Sequence, residues 1–323
     1  MKLSIALDRY DRHYPFFDGT VTPPNGVELE IFQVGQSQHW RDGDDRHERM
    51  LHGKEFDVAE FSMSSFLMAK GRGMPIVGVP VFPRRLFSQS QMWVHEDSDL
   101  WEPSQLPGKK IALSSFQTTL SLLAKGDLKF HYGVNWEDIH WLLTTEEKVK
   151  FDPKPGVKIE FLGDRENLGN LLEAGDIDGF FLPHPPKSVT TGKTKARRLF
   201  RDPRAEEENY YKKYGDFPIM HVMTIQEELL AREPWVARSV LDMCNQAWQI
   251  SDSYYEDPNW SRLAWGRHAH EEQWERLPGD PWRNGFGQNR ANIERFIRYS
   301  FDQGLIDNPY EPETLFAPDT INT

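Results

Sequence analysis

The chain has 323 residues and a formal net charge of −12, which suits one large domain or two ordinary ones. The negative charge argues against nucleic acid and anionic membrane surfaces as partners, although a locally positive site can still hold a small anion. A single cysteine, Cys244, excludes an internal disulfide and gives no support for secretion. Its helical spacing from Val240, Leu241 and Trp248 favours packing over nucleophilic catalysis. The first apolar stretch is too short for a signal peptide, and no run is long enough to span a bilayer. The sequence therefore predicts a soluble, cytoplasmic protein.

Alternating apolar residues predict strands at residues 3–7, 27–31 and 56–60, with a further apolar run at 76–82. The third strand leads directly into a helix at residues 66–70. Ser62, Ser64 and Ser65 lie between them and are candidates for the helix N-cap. Unpaired N–H groups at a helix start attract anions, and ligands of open α/β sheets collect at the carboxyl ends of strands. The alternative is an ordinary capped helix that binds no ligand.

The pattern restarts near residue 95. A strand at residues 111–113 runs through a second hydroxyl-rich turn, residues 114–119, into a helix at 120–130. A strand at 157–161 precedes a short helix at 168–172, and residues 175–181 form a turn and another strand. The alternation and its restart predict two α/β lobes, and the two turns would face each other across a cleft.

The second half of the chain is less regular. Residues 187–214 are polar and poorly periodic, which is typical of a solvated surface, and residues 251–281 show no clear period. Pro234 fits the first turn of a helix, and residues 292–301 read as a helix whose C-cap region contains Gly304. No phosphate-binding loop or nucleophile elbow occurs. The spacing of His268, His270, Glu271 and Glu272 matches no strong metal motif, so an exposed acidic loop is expected and no metal is predicted.

Several stretches together resemble the 4,5-dihydroxyphthalate decarboxylase family. The resemblance rests on Tyr10-Asp11-Arg12, on residues 55–58 and 62–65, on residues 80–82 with Arg85 and Phe87, on Gln117-Thr118, and on residues 218–222, 280–282 and 289–290. It implies an α/β, two-lobed type II periplasmic-binding-protein-like fold used as an enzyme, with a ligand cleft between the lobes. Residues 1–90 plus 215–323 would form lobe 1, including the C-terminal helices, and residues 91–214 would form lobe 2.

The chain departs from the family pattern at two places. Tyr14 stands where an arginine is expected, and Ser88-Gln89 replaces an expected arginine-histidine pair. Two positive side chains are therefore missing, and a phthalate-type dianion would want both. The substrate expected from the resemblance is consequently an aromatic acid that differs from phthalate.

The resemblance implies decarboxylation of a hydroxylated benzoate or phthalate by ring protonation and loss of carbon dioxide, for which no redox cofactor is required. His221, in an apolar run, is the predicted general acid, because an unperturbed imidazole titrates near neutrality. A core histidine bonded to backbone is the alternative, and His184 and His13 are weaker proton donors. Arg12 and Arg85, with the neighbouring Arg84, would hold carboxylates. The two turns would bond the substrate, and Tyr10 and Tyr14 would stack on or bond its ring; the turn residues are Ser62, Ser64, Ser65, Gln117, Thr118 and Thr119. Arg12, Ser64, Gln117 and His221 are thus expected to line one pocket.

Two other functions remain open from the sequence. The same fold would serve a solute-binding protein for an aromatic acid without catalysis, although the missing signal peptide argues against that class. A different cleavage or isomerisation of an aromatic acid is the other. The aromatic side chains of residues 260–286 would either cover a contact between subunits of a homo-oligomer or pack on their own lobe.

Overall fold

The computed structural model describes residues 1–36, 38–147 and 149–323. Its strands are β1 (Lys2–Leu7), β2 (Glu28–Gln33), β3 (Val58–Ser62), β4 (Ile76–Val79), β5 (Met92–His95), β6 (Lys110–Leu113), β7 (His140–Leu143), β8 (Lys158–Phe161), β9 (Gly179–Phe181), β10 (Ala196–Arg198) and β11 (His221–Gln226). Its α-helices are α1 (Tyr14–Phe17), α2 (Arg46–Leu51), α3 (Met63–Gly71), α4 (Thr119–Phe130), α5 (Leu168–Ala174), α6 (Lys187–Thr190), α7 (Pro203–Tyr214), α8 (Glu227–Arg232), α9 (Val236–Ser253), α10 (Gly266–Arg276) and α11 (Phe286–Asp302).

The first sheet has the strand order β2-β1-β3-β11-β4. Strands β2, β1 and β3 run parallel, and β11 is antiparallel to both of its neighbours, β3 and β4. The chain thus leaves this sheet after β4 and returns to its middle at residue 221. A strand inserted between two earlier ones ties the distant segment 217–226 to the start of the protein.

The second sheet has the order β10-β5-β9-β6-β7-β8. Strands β9, β6, β7 and β8 are parallel, whereas β5 pairs antiparallel with both β9 and β10. All six strands lie within residues 92–198. The residue-level lobe boundaries near 90 and 215 stay a prediction.

The core follows from the sequence periodicity. Leu3, Ile5 and Leu7 alternate along β1 and pack with the apolar face of α9, which includes Val240 and Cys244. Burial raises the pKa of the Cys244 thiol to about 12, so the predicted packing role of this cysteine is confirmed.

The C-terminal helix α11 packs against α4, which follows a strand of the second sheet. The ring of Tyr299 stacks on Phe130, with centroids 5.3 Å apart. It also lies over Gly126, where an added Cβ would come within 2.0 Å of the tyrosine ring. Only glycine allows that approach. The expected return of the C-terminal helices to the first lobe is thus only part of their packing, because α11 also contacts the helix of the second sheet.

Two local predictions were wrong, the acidic loop at residues 268–272 and the place of Pro234, and residues 187–214 have more regular structure than their poor periodicity indicated. Residues 187–214 contain β10 and α7 as well as α6, and α7 has a proper N-cap, Asp202, whose side chain accepts from the Ala205 N–H at 3.0 Å. Residues 266–276, expected as an acidic loop, form α10. Helix α9 begins at Val236, two residues after Pro234. Of the described residues, no helix is long and apolar enough to cross a membrane.

Candidate functional site

The site is built where β3 and β11 lie side by side. Their antiparallel register pairs His221 with Ser62 and Met223 with Glu60. Glu60 and His221 are therefore diagonal neighbours on one face of the sheet, close enough for their side chains to meet. Both are buried, and Glu60 Oε1 accepts a short hydrogen bond from His221 Nδ1. The carboxyl end of β3 thus carries a buried carboxylate–imidazole pair.

Glu60 is fully buried, and several neighbouring groups offset the negative charge of its carboxylate. Its carboxylate accepts from the Asp8 N–H at 3.1 Å and from the Tyr10 hydroxyl at 3.3 Å. The guanidinium of Arg46, also fully buried, lies 3.5 Å from Glu60 and 3.6 Å from the Asp8 carboxylate. A buried charge is expensive without such partners, so this network is what lets a carboxylate stand inside the sheet.

The pKa values of both members of the pair are shifted downward by their surroundings. Burial alone would raise the pKa of the Glu60 carboxyl, but Arg46 and the imidazole of His221 outweigh it and hold that pKa well below the usual range. Burial lowers the pKa of His221, and the opposing effect of Glu60 is smaller. Glu60 is therefore ionised and His221 neutral at pH 7, with the proton on Nδ1. Nε2 then carries a lone pair, and it has no hydrogen-bond partner among the described residues. In this state His221 can accept a proton at Nε2, and its role as the general acid stays a prediction.

The two predicted turns do face each other. Ser62 Oγ at the start of α3 and Thr119 Oγ1 at the start of α4 are 2.6 Å apart, which joins the two halves of the molecule. Ser62 is also the N-cap of α3, and its Oγ accepts from the Ser65 N–H at 3.5 Å. Ser64 is completely buried, and its Oγ has no partner in the described part of the chain. Ser64 is therefore closed off in this structure, and its contact with substrate stays a prediction.

Gln117 and Thr118 in the second turn serve the protein itself. The Gln117 amide donates to Val149 O at 2.7 Å and accepts from the Val149 N–H at 3.1 Å. Thr118 Oγ1 lies 2.6 Å from Ser121 Oγ. The backbone N–H groups of Phe116 and Gln117 donate to the carboxylate of Glu147 at 2.5 and 3.2 Å. The expectation that Gln117 bonds substrate is therefore not met, since both ends of its amide are committed and an internal carboxylate fills the turn.

Arg12 lies beside Tyr10 but borders a cavity that His221 does not line. Its guanidinium is sandwiched between the rings of Tyr10 and Trp282, at 4.2 and 4.3 Å, donates to Pro83 O at 2.6 Å, and pairs with Asp11 at 3.1 Å. It borders a cavity of about 550 Å³ beneath α9 and α10, which His221, Ser64 and Gln117 do not line. The single pocket expected for these four residues is therefore wrong. Tyr10 connects Arg12 to the Glu60–His221 pair, because its ring stacks on the Arg12 guanidinium and its hydroxyl donates to Glu60.

The two adjacent arginines point to different places. Arg85 is buried and donates to Phe217 O at 2.7 Å, Arg283 O at 2.8 Å and Asn289 Oδ1 at 2.7 Å. The prediction of a carboxylate-binding Arg85 is corrected by these contacts, which leave it structural. Arg84 is half-buried; its carbonyl accepts from the His221 N–H at 3.1 Å, and its Nη2 lies 3.3 Å from His184 Nε2. Arg84 and His184 thus connect the ends of the two sheets.

The remaining candidates lie at the margin. Tyr14 is exposed, and its hydroxyl accepts from Arg9 at 3.2 Å. His13 is buried with Nδ1 2.8 Å from Asp8 O, and burial lowers its pKa to about 4, which removes it as a proton donor near neutrality. Ser88 donates to Asp127 at 2.6 Å, away from His221. No group of metal-binding side chains is found within residues 1–36, 38–147 and 149–323.

Sequence reasoning missed Glu60 and Arg46. Glu60 carried a signal: a lone carboxylate between Ala59 and Phe61, inside an apolar strand, must be paired when buried. Arg46 carried none, because it belongs to a stretch of alternating charges that resembles an ordinary surface.

No family model matches the chain. The 4,5-dihydroxyphthalate decarboxylase of Comamonas testosteroni is 28% identical over 337 residues, covering 100% of this chain and 98% of that protein. The enzyme of the same name from Pseudomonas putida is 27% identical over 219 residues, covering 66% of this chain and 82% of the relative. The likeness to these decarboxylases thus extends along the whole chain at modest identity.

Solved structures share the architecture at low identity. A sulfonate-binding protein of Methylobacillus flagellatus superposes with a TM-score of 0.60 at 12% identity, covering 100% of this chain and 93% of that one. The periplasmic aliphatic sulphonate-binding protein of Escherichia coli gives 0.57 at 12% identity, with 98% and 91% covered. The desulfurization enzyme DSZB gives 0.56 at 14% identity, with 99% and 97% covered. The fold is therefore the two-lobed type II periplasmic-binding-protein-like fold, as the sequence predicted.

Proposed function

We propose that the protein is a decarboxylase that removes a carboxylate from a hydroxylated aromatic acid. The observation that carries this proposal is the buried pair of Glu60 and His221 at the carboxyl end of β3, with Nε2 of His221 unpartnered. Ligands of open α/β sheets collect at such strand ends. The full-length likeness to enzymes named 4,5-dihydroxyphthalate decarboxylase supports the same chemistry.

The geometry favours a base-first sequence. Neutral His221 takes the proton of a ring hydroxyl at Nε2, and the buried Glu60 carboxylate stabilises the imidazolium that forms. The ring oxygen then pushes electron density towards the carbon that bears the carboxylate. The imidazolium returns the proton to that carbon, and the ring becomes a dienone.

Loss of carbon dioxide completes the reaction. The C–C bond to the carboxylate breaks, its electron pair restores the aromatic ring, and the ring oxygen is left as a phenolate that solvent protonates. His221 ends neutral, as it began, so one proton is consumed from water for each carbon dioxide released. Tyr10, bonded to Glu60, holds the carboxylate in line with the imidazole.

A binding protein without chemistry is the second candidate, because the sulfonate-binding proteins share the fold. A panel of hydroxybenzoates and hydroxyphthalates, measured for carbon dioxide release and for thermal shift, separates the two. We expect at least one acid to give carbon dioxide, and His221→Gln to abolish release while the thermal shift persists. Shifts without product across the panel would favour the binding protein, and full turnover by His221→Gln would remove the imidazole from the mechanism.

A further inference from the structure

Arg12 and Arg85, two of the three arginines that the sequence offered for substrate, are committed to contacts within the protein, and so is Arg46. Arg85 donates to three internal acceptors, and Arg46 is buried between Glu60 and Asp8. Arg12 is stacked between two aromatic rings and paired with Asp11. A carboxylate arriving near His221 therefore needs a different cation.

Two other guanidinium groups have no carboxylate partner among the described residues, and both approach His184. Arg84 follows β4 of the first sheet, and Arg165 follows β8 of the second. Arg84 Nη2 lies 3.3 Å from the imidazole Nε2 of His184, while Arg165 Nη2 donates to the carbonyl oxygen of the same residue. Both arginines are half-buried, and neither forms an ion pair with a carboxylate among the described residues.

The charges of Arg84 and Arg165 around His184 favour the binding of an anion. Burial lowers the pKa of Arg165, with Glu166 opposing weakly, and burial followed by the charges of Arg84 and Arg165 lowers the pKa of His184. Two like charges beside a neutral imidazole repel each other in a partly desolvated place, and a carboxylate between them would relieve that repulsion. A guanidinium offers a planar fork that matches a carboxylate.

The position suits the reaction. The Arg84 carbonyl accepts the backbone N–H of His221, and the charge of Arg84 is among the effects that lower the pKa of the His221 imidazole, so the guanidinium and the imidazole lie in the same part of the cleft. The donors of the second turn are closed to a ligand, because Glu147 accepts from Phe116 and Gln117.

We propose that Arg84 and Arg165, one from each sheet, form a clamp that holds the carboxylate of an aromatic acid and so closes the cleft on it. The aromatic nature of the ligand rests on the proposed function, whereas the carboxylate clamp rests on the arginines alone. Arg165 is a specificity-determining residue that no family motif indicated.

The test measures binding apart from turnover. Benzoate-type acids without a ring hydroxyl, and their matching amides, are titrated calorimetrically against the parent, Arg84→Gln, Arg165→Gln and the control Arg238→Gln, whose arginine sits on the exposed face of α9 with Asp242. Each clamp variant should weaken carboxylate binding by about 10- to 100-fold, as expected for a lost charge-assisted hydrogen bond, and leave amide binding unchanged. Arg165→Lys should restore part of the loss, because it keeps the charge without the fork.

Several results would overturn the clamp: no binding of any acid by the parent, unchanged carboxylate affinity in Arg165→Gln, or equal losses for acid and amide. Failure of the decarboxylase proposal looks different. In that case no hydroxylated acid gives carbon dioxide, yet the two arginine variants still lose carboxylate affinity.

Discussion

Replacing Glu60 with glutamine tests the centre of the site. The substitution keeps the shape and leaves an amide oxygen to accept from His221 Nδ1, but it removes a fully buried negative charge. Arg46 would then keep only Asp8, 3.6 Å away, as its counter-charge. Breaking a buried ion pair costs about 3–5 kcal/mol. Because the Asp8 contact and the hydrogen bond to His221 are kept, we expect Glu60→Gln to lower the free energy of unfolding by about 3 kcal/mol, the lower end of that range.

The Glu60→Gln substitution should also slow carbon dioxide release by the protein that remains folded. Without the carboxylate, the imidazolium formed during the reaction loses its stabilising partner, and the Nδ1–H is held less firmly. Loss of such an orienting carboxylate slows related proton transfers by about 10²- to 10⁴-fold. Carbon dioxide release by the folded Glu60→Gln protein measures this effect, and urea unfolding followed by tryptophan fluorescence measures the stability.

The matched control is Glu30→Gln. Glu30 pairs with Lys2 at 2.8 Å on the surface, with the two side chains 41% and 57% exposed, so its loss should change stability by less than about 0.5 kcal/mol. The pH dependence supplies a second check. The Glu60 pKa is depressed on folding, so its stabilisation is present above the unfolded value near 4.5 and is lost as the pH falls through the folded value. Equal stability of parent and Glu60→Gln at pH 7, with unchanged turnover, would refute the account of the pair.

Four further predictions follow from the same contacts. Because burial lowers the pKa of His221, kcat/KM should stay level from pH 6.5 to 8 and decline only on the acid side; a decline with rising pH in a pH–rate profile would instead indicate an acid charged beforehand. Arg85→Met should lower Tm by several degrees, measured by calorimetry, and leave KM nearly unchanged in the folded fraction, since it strands three internal acceptors at about 1–3 kcal/mol each. Ser62→Ala should cost about 1–2 kcal/mol in urea unfolding because it removes both a helix cap and the link to Thr119, whereas Thr119→Val should cost less. Asp127→Asn should raise Tm at pH 8.5 and not at pH 4: burial raises the Asp127 pKa to about 7, so the parent loses stability as the pH rises from about 4 to 7, and the amide does not.

The strands and the first turn could be predicted because their signals are local. Alternation along β1 and β2 and the serine after β3 fix those elements within a few residues. Helix α10 could not be predicted, since it lacks an apolar stripe and none of its residues is buried. Local pattern finds elements that bury a regular face, and misses those that do not.

The two arginines after β4 show why a motif does not place a side chain. Residues 84 and 85 are extended, since Arg85 forms a β-bridge with Ile219. Successive side chains of an extended segment point to opposite faces, so two adjacent arginines cannot both enter one cleft. An extended segment therefore requires that the side chain of one of these two arginines points into the protein rather than into the cleft. The sequence could not decide which, because the acceptors of Arg85 come from residues 217, 283 and 289, far along the chain.

The second turn fails as an anion site for a related reason. Its hydroxyls and backbone N–H groups resemble those of the first turn, yet Glu147, some 30 residues later, already supplies a carboxylate that accepts from the N–H groups of Phe116 and Gln117. The first turn differs because its own serine caps α3 and a histidine, His47, accepts the Ser62 N–H at 3.0 Å. Because these N–H groups of both turns are paired within the protein, we expect side chains beyond the turns to bind the anion of a substrate. Arg84 and Arg165 pair with no carboxylate among the described residues, so substrate affinity should depend on these two arginines rather than on the turns.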